Sequence, residues 1–350
     1  MAMKLTTGSL ILLMSTSQVM AGAPKIVADI APIHSLVARV MGDLGSPDLL
    51  IPSNASPHEY NLRPSEAQSL QDADLIFWMG EDLTPWLERT MTNLPQNARI
   101  TELLALEEVN LLPFRETAIF GDHEDDHDHG HGHKDHDDHE KKDAHHKEDD
   151  HDHGHGHKDH DDHGKEDAHH KEGGHDDHGH HHGAHDPHAW LSPSNGKIFL
   201  QVIAEQLATA DPEHRDIYLA NALAGQQEID DISNKISGML KPAMETKYVV
   251  FHDAYQYFEQ SFGIEVAGAL SLGDATAPSP ARVEEIQEVI KAEGITCVLA
   301  EPQYNPKLVK AISGGLKTGV LDPLGAKLET GRDLYQNLLR NMAETFANCE

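Results

Sequence analysis

Residues 211–240 read DPEHRDIYLANALAGQQEIDDISNKISGML and form a long helical pattern in this 350-residue chain. Aspartate, proline and glutamate in this order are typical of a helix start. Apolar side chains then recur at mostly three- and four-residue steps, at Leu219, Leu223, Ile229, Ile232, Ile236 and Leu240. We predict a connecting helix of about 28 residues, roughly 42 Å long, within residues 211–241. A helix of this length, in a chain of otherwise short elements, can bridge two lobes.

Short aliphatic runs alternate with helical patterns on both sides of this helix. The runs are KIVADI (25–30), LLIP (49–52), DLIFWMG (74–80), KYVVFH (247–252), ITCVLAE (295–301) and TGVLD (318–322). This alternation is typical of the α/β class with mainly parallel sheets. We therefore predict an N-terminal α/β lobe over residues 24–210 and a C-terminal α/β lobe over residues 242–350. Ser65 with Gln68 predicts a capping box for the helix after Pro64.

The first 23 residues have the composition of a secretory signal peptide. Lys4 is followed by an apolar run around residues 10–14, and Val19 and Ala21 stand at the −3 and −1 positions of a cleavage site. The run is too short to span a bilayer, and no later segment approaches the roughly 18–20 apolar residues that a membrane helix needs. No cysteine lies near the cleavage site, which argues against a lipid anchor attached there. We expect a periplasmic protein.

Acidic residues and histidines are concentrated in one segment, residues 122–184, called the histidine-rich tract below. Residues 122–186 contain 23 acidic residues and 7 lysines, a net charge of −16 out of −32 for the chain. The 24 residues from His127 repeat from His151 with 20 identical positions. The tract lacks apolar side chains larger than alanine, so we expect it to be disordered. Its negative charge repels nucleic acid and favours small cations as partners.

Two interpretations of the tract remain open. It can be an inert, solvated linker. It can also gather metal, because neutral imidazole binds zinc, copper and nickel and aspartates favour the approach of a dication. We favour the second interpretation, with many weak and exchangeable sites, since the capacity of such a tract increases with each repeat. The first histidines of each repeat represent these weak sites: His127, His129, His131, His133, His151, His153, His155 and His157.

A selective metal site must use other histidines, of which the sequence has six. His58 follows the strand LLIP and His252 ends the strand KYVVFH. Because ligands of open α/β lobes bind beyond the carboxyl ends of strands, these two are candidate ligands. His188 lies in DPHAWLSP, where the tract ends. The other three histidines have ordinary structural explanations. His34 belongs to a helix start and either packs or faces solvent, His185 is the end of the tract, and His214 is a surface residue in the first turn of the long helix.

Three further residues allow two interpretations each. Asp322, after the last strand, is either a turn residue or a carboxylate ligand that completes four-coordination. Cys297 and Cys349 are most simply a disulfide in an exported chain, and the alternative is a pair of soft thiol ligands.

Five stretches together resemble one known family. They are PHEYNLRPSEAQSLQDADLIFWMG, DPHAWLSP, VVFHDAYQYFEQSFGI, TCVLAEPQYNP and LDPLG, and they cover both predicted lobes. The chain resembles the ZnuA-type periplasmic zinc-binding component of high-affinity zinc-uptake ABC transporters, in the metal-binding cluster of solute-binding proteins. The resemblance implies a two-lobed fold with a rigid connecting helix, Zn²⁺ in the cleft between the lobes, and an inner-membrane ABC permease as partner. Other zinc-carrying periplasmic proteins are further candidate partners, and a monomer is expected.

The resemblance also implies a ligand set. The three zinc histidines of the family fall on His58, His188 and His252. In some members an acid directly precedes the first histidine, but Pro57 stands here, which leaves Asp322 or water as the fourth ligand. Cys297 and Cys349 match the disulfide of the family. Three imidazoles favour zinc over manganese by ligand type.

Two other functions compete with a zinc receptor. Three histidines and a water are also the layout of a zinc hydrolase, but HExxH and GxSxG are absent and Asp253 is the only obvious nearby base. The other competitor is a metal buffer whose function depends on the tract. The buffer hypothesis predicts that deletion of residues 122–184 abolishes tight binding, whereas a receptor retains one tight zinc.

Overall fold

The computed structural model describes residues 23–120 except 96, 116 and 118, and residues 185–271 and 278–349. The predicted signal peptide, apart from its last residue, and the histidine-rich tract with its eight named histidines lie outside these described residues. Every described helix is too short or too polar to span a bilayer.

The N-terminal lobe is built on a parallel four-stranded sheet in the order β2-β1-β3-β4. Its elements are β1 (Ile26–Ala28), α1 (Ala31–Met41), β2 (Asp48–Leu49), α2 (Pro64–Asp72), β3 (Leu75–Trp78), α3 (Glu88–Asn93), β4 (Arg99–Glu102) and α4 (Pro193–Ala210). Strands β1 and β3 are buried along their whole length, which explains their continuous aliphatic sequences.

The C-terminal lobe repeats the architecture with a parallel sheet in the order β6-β5-β7-β8. Its elements are β5 (Lys247–His252), α6 (Gln256–Phe262), β6 (Glu265–Ser271), α7 (Pro280–Ala292), β7 (Cys297–Ala300), α8 (Pro306–Ser313), β8 (Lys317–Val320) and α9 (Leu334–Asn348). The predicted two-lobed α/β fold is confirmed.

The predicted connecting helix is α5 (Arg215–Met239), a 25-residue helix preceded by a 3-10 turn at Pro212–His214. It packs against α1 and α4 of the N-terminal lobe and against α9 of the C-terminal lobe. Its Glu228 accepts hydrogen bonds from Arg39 at 2.7 and 2.8 Å and from Gln336 at 2.8 Å. One carboxylate of α5 therefore joins side chains of both lobes.

A continuous hydrophobic core extends through both lobes, and a second cluster covers the other face of the C-terminal sheet. Cys297 of β7 and Cys349, which follows α9, form a disulfide, so they are not soft thiol ligands. The bond links the C-terminal helix to a central strand of its sheet.

The predicted capping box at Ser65 and Gln68 is wrong, because the box lies two residues earlier, at Arg63 and Glu66. The carboxylate of Glu66 accepts a hydrogen bond of 2.7 Å from the backbone N–H of Arg63, the residue before helix α2. Pro64 occupies the first helical position, where its missing N–H costs nothing.

The described residues of the 112–120 segment, which precedes the histidine-rich tract, lie against the C-terminal lobe. The backbone N–H of Leu112 donates to the Tyr257 hydroxyl at 3.0 Å, and that of Phe120 donates to the Ala267 carbonyl at 2.9 Å. Asp186, just beyond the tract, donates its backbone N–H to the Leu112 carbonyl at 2.9 Å. The described residues on both sides of the tract are thus fixed to the folded lobes.

Candidate metal centre

His58 lies in the loop that follows β2 at the carboxyl end of the N-terminal sheet. The loop is held from two sides: the indole of Trp86 donates to the Pro57 carbonyl at 2.7 Å, and the His58 backbone N–H contacts the Ser56 hydroxyl oxygen at 3.2 Å. The side chain of His58 is half-buried.

His188 precedes the 3-10 turn Ala189–Leu191 and is buried. The Asp186 Oδ1 accepts from the His188 backbone N–H at 2.9 Å and from its Nδ1 at 2.7 Å. An ionised carboxylate only accepts, so with Asp186 ionised the ring proton lies on Nδ1 and the lone pair on Nε2. Burial raises the pKa of Asp186 to about 6, and the backbone N–H of His188 acts to lower it.

His252 is the last residue of β5 and is also buried. Its Nδ1 donates to the Oε1 of Glu301 at 2.9 Å, and Glu301 directly follows β7, the neighbouring strand. Glu301 also accepts from the Tyr255 hydroxyl at 3.1 Å and from the Gln303 amide. These donors hold the carboxylate in place, and the carboxylate in turn sets the tautomer of His252, with the lone pair on Nε2.

The three histidines converge although they are widely separated in sequence. One candidate ligand nitrogen from each of His58, His188 and His252 lies within 4.8 Å of the others. The ring centroids are 5.5 Å apart for the two pairs with His58 and 4.9 Å apart for His188 and His252. Tetrahedral Zn²⁺ with nitrogens at about 2.0–2.1 Å requires nitrogens about 3.3 Å apart. The three residues therefore form a group that could hold a metal ion once the rings move inward to this separation.

Asp322 follows β8 and shapes a turn through one oxygen, because its Oδ1 accepts from the backbone N–H groups of Leu324 and Gly325 at 3.1 and 2.8 Å. It does not belong to the group of three histidines, which is the only such group of potential metal ligands in the described part of the chain. Burial raises the pKa of Asp322, and the nearby charge of Glu301 acts in the same direction.

The other described histidines lie outside this group. His34 is buried and its Nε2 donates to the Pro47 carbonyl at 3.0 Å, as expected for a packed residue. His214 is bonded through Nδ1 to the Oδ2 of Asp211 at 2.7 Å at the start of the connecting helix. His185 pairs through its backbone with Pro113.

A buried ionic cluster lies beside His252, and the sequence did not reveal it. Arg115 contacts Asp253 Oδ1 at 2.9 Å and Glu259 Oε2 at 2.9 Å, and all three side chains are largely buried. Burial raises the pKa of Asp253 to about 6 and that of Glu259 to about 7, while Arg115 acts to lower both. The acids of this cluster outnumber its one arginine, so in their ionised form they favour the approach of a dication to the three imidazoles.

The paired acids of the two buried histidines were also missed. Asp186 carries a weak signal in the sequence, since it stands two residues before His188 in DPH. Glu301 is 49 residues from His252, and only the pairing of β5 with β7 brings it close.

Two α/β lobes with parallel sheets, a long connecting helix and three converging histidines define a solute-binding protein of the metal-binding class. Residues 26–349 match the family model described as zinc-uptake complex component A, periplasmic (ZnuA). The chain belongs to this family. The family is that of a substrate-binding component, not of an enzyme, and the hydrolase alternative is thereby excluded.

The similarity extends over almost the whole chain. The high-affinity zinc uptake system protein ZnuA of Paracoccus denitrificans is 43% identical over 332 residues, with coverage of 94% of this chain and 92% of that protein. The protein of the same name from Brucella abortus is 41% identical over 326 residues, with coverage of 93% and 91%. A crystal structure of a ZnuA superposes with a TM-score of 0.67 at 21% identity, covering 93% of this chain and 99% of that one.

Proposed function

We propose that this chain is an extracytoplasmic zinc receptor, which captures Zn²⁺ with His58, His188 and His252 and delivers it to an inner-membrane ABC permease. The convergence of three imidazoles from three separate stretches of chain carries this proposal. Membership of the zinc-uptake family supports both the ion and the delivery step. The expected location is the periplasm, where the receptor acts as a monomer and can exchange zinc with other zinc-carrying proteins.

The donor set supports zinc as the cargo. Three neutral imidazoles give a nitrogen-rich site, whereas manganese and calcium prefer oxygen ligands. His58 and His188 belong to the N-terminal lobe and His252 to the C-terminal lobe, so the bound ion links the lobes. The fourth ligand is water or Asp322.

The histidine-rich tract adds a second role to the proposal. Its 22 histidines between residues 123 and 182 offer many weak sites that exchange zinc quickly. A local store of this kind raises the amount of zinc held close to the receptor without requiring a shaped pocket.

The carboxylate that orients His252 allows a sharp test of the site. Glu301→Gln removes the charge that holds the Nδ1 proton, and we expect zinc affinity to fall about 10–100-fold, the usual effect of losing such a partner. Competition titration against a chelator measures the change. Asp211→Asn is a matched control, because Asp211 also accepts from a histidine Nδ1, that of His214, at 2.7 Å. Equal affinities of these two variants would contradict the assignment of His252.

Delivery is tested by zinc uptake in cells in which this chain is the only extracytoplasmic zinc receptor. Uptake from zinc-poor medium should require the chain and its permease, and His252→Ala should reduce uptake to the level of cells without the receptor. Measurement of ⁶⁵Zn accumulation checks the result. Normal uptake by the variant, at equal protein abundance, would argue against receptor function.

A further inference from the structure

Arg115 connects the segment before the histidine-rich tract to the part of the C-terminal lobe that carries His252. Its Nη1 donates to Asp253 Oδ1 at 2.9 Å and to Glu259 Oε1 at 3.1 Å, and its Nη2 donates to Glu259 Oε2 at 2.9 Å. The Phe120 ring covers the guanidinium at 4.0 Å. The fork-like pairing with Glu259 fixes the geometry of the arginine.

The two carboxylates depend on this arginine. Asp253 and Glu259 are 3% and 7% exposed, so water screens their mutual repulsion poorly. Removing one partner of a buried ionic cluster is strongly destabilising, and without Arg115 no described contact joins Asp253 to Glu259, so we expect these two side chains to shift. Asp253 directly follows His252, so such a movement displaces the last residue of β5.

The same segment also contacts the loop of a second histidine. Three residues before Arg115, the Leu112 carbonyl accepts the backbone N–H of Asp186 at 2.9 Å, and Asp186 holds His188 through two hydrogen bonds. Residues 112–115 therefore contact the neighbour of His252 at one end and the partner of His188 at the other.

We propose that Arg115 is a positioning residue that fixes the separation of His188 and His252 and thereby sets how long zinc stays bound. This inference rests on the proposed function of the three histidines. It adds a determinant that does not touch the ion and that lies only seven residues before the histidine-rich tract. Zinc release then requires residues 112–115 and the loop after β5 to separate, and the Arg115 contacts resist this separation.

The experiment compares the full chain with Arg115→Gln, Arg115→Lys and Arg39→Gln. The Arg39 side chain is a matched control, because it also makes a two-bonded ion pair, with Glu228, and is 16% exposed against 21% for Arg115. Rapid mixing of the zinc-loaded proteins with excess chelator gives the dissociation rate. The absorption spectrum of bound Co²⁺ reports the coordination geometry.

We expect zinc to dissociate about ten-fold faster from Arg115→Gln, in line with other residues that orient metal ligands. The Co²⁺ spectrum should change in the same variant, Arg115→Lys should recover part of the loss, and Arg39→Gln should match the unsubstituted protein. If Arg115→Gln does not fold, Arg115→Lys and Glu259→Gln decide the question. Both remove the two-bonded pairing of Arg115 with Glu259. Arg115→Lys keeps a positive charge beside Asp253, and Glu259→Gln keeps the ion pair of Arg115 with Asp253.

Unchanged dissociation rates and Co²⁺ spectra in folded Arg115 variants would overturn the inference while leaving the receptor function intact. Equal acceleration by Arg39→Gln would also overturn it, since the effect would then be general destabilisation. Failure of the unsubstituted protein to bind one tight zinc would instead refute the proposed function.

Discussion

Alanine in place of His188 is expected to abolish tight zinc binding while leaving the weak sites of the histidine-rich tract. The apparent binding free energy of structural Zn²⁺ in zinc-finger peptides is about 10–16 kcal/mol, and we use this scale here. Divided over four ligands, this is about 3 kcal/mol for each, or on the order of a 100- to 1000-fold loss of affinity. Titration in the presence of a competing chelator measures the loss. His58→Ala should have a comparable effect, because both nitrogens belong to the same group.

Two other substitutions make this result specific. His214→Ala removes a described histidine that is bonded to Asp211 and lies outside the group of three, so it should leave the affinity unchanged. Asp322→Asn distinguishes the two candidates for the fourth ligand: a loss of affinity identifies the carboxylate, and no change identifies water. Retention of full affinity by folded His188→Ala would contradict the proposed ligand set.

Deletion of the histidine-rich tract, residues 122–184, is expected to leave one tight zinc site and to remove most of the weak binding. The described histidines of the site lie outside the deleted segment, and residues on both sides of it are fixed to the folded lobes through Leu112, Phe120 and Asp186. A flexible Gly/Ser linker matched to the distance between the two ends can join them. Calorimetric titration of the metal-stripped variant gives the number of tight and weak sites.

The control for the deletion keeps the length of the tract and replaces its histidines with serine. If imidazoles are responsible for weak binding, both variants should lose the weak sites equally. Loss of the tight site in both variants would instead favour the buffer hypothesis, in which the tract itself holds the zinc.

The fold was predictable where strands are buried and aliphatic. KYVVFH and DLIFWMG contain β5 and β3, which are buried along most of their length. Strands β4 and β6 were not predicted. The four residues RITE of β4 are partly exposed and polar, and EVAGALS of β6 contains Gly268 and two alanines, which carry little β-strand signal.

The site was predictable where its histidines adjoin predicted strands. His58 and His252 follow or end strands, so strand position alone made them candidates, whereas His188 precedes a 3-10 turn and was identified through the family resemblance. The residues that orient these histidines come close to them only in the tertiary structure. Arg115 and Glu259 are separated by 144 residues, and no local pattern connects them.

The role of Asp322 was also left open by the sequence. A position directly after a strand is compatible with a metal ligand and with a turn residue. The structure shows that the Oδ1 of Asp322 accepts hydrogen bonds from two backbone N–H groups. Turn formation of this kind is common for aspartate and is compatible with a second role for the other oxygen.

Diffraction at the zinc absorption edge, from crystals of the tract-deleted protein loaded with one equivalent of zinc, locates the bound ion and its ligands. The predicted result is one strong anomalous peak about 2.0–2.1 Å from a nitrogen of each of His58, His188 and His252. A zinc peak elsewhere, or one bonded to fewer than these three histidines, would contradict the account.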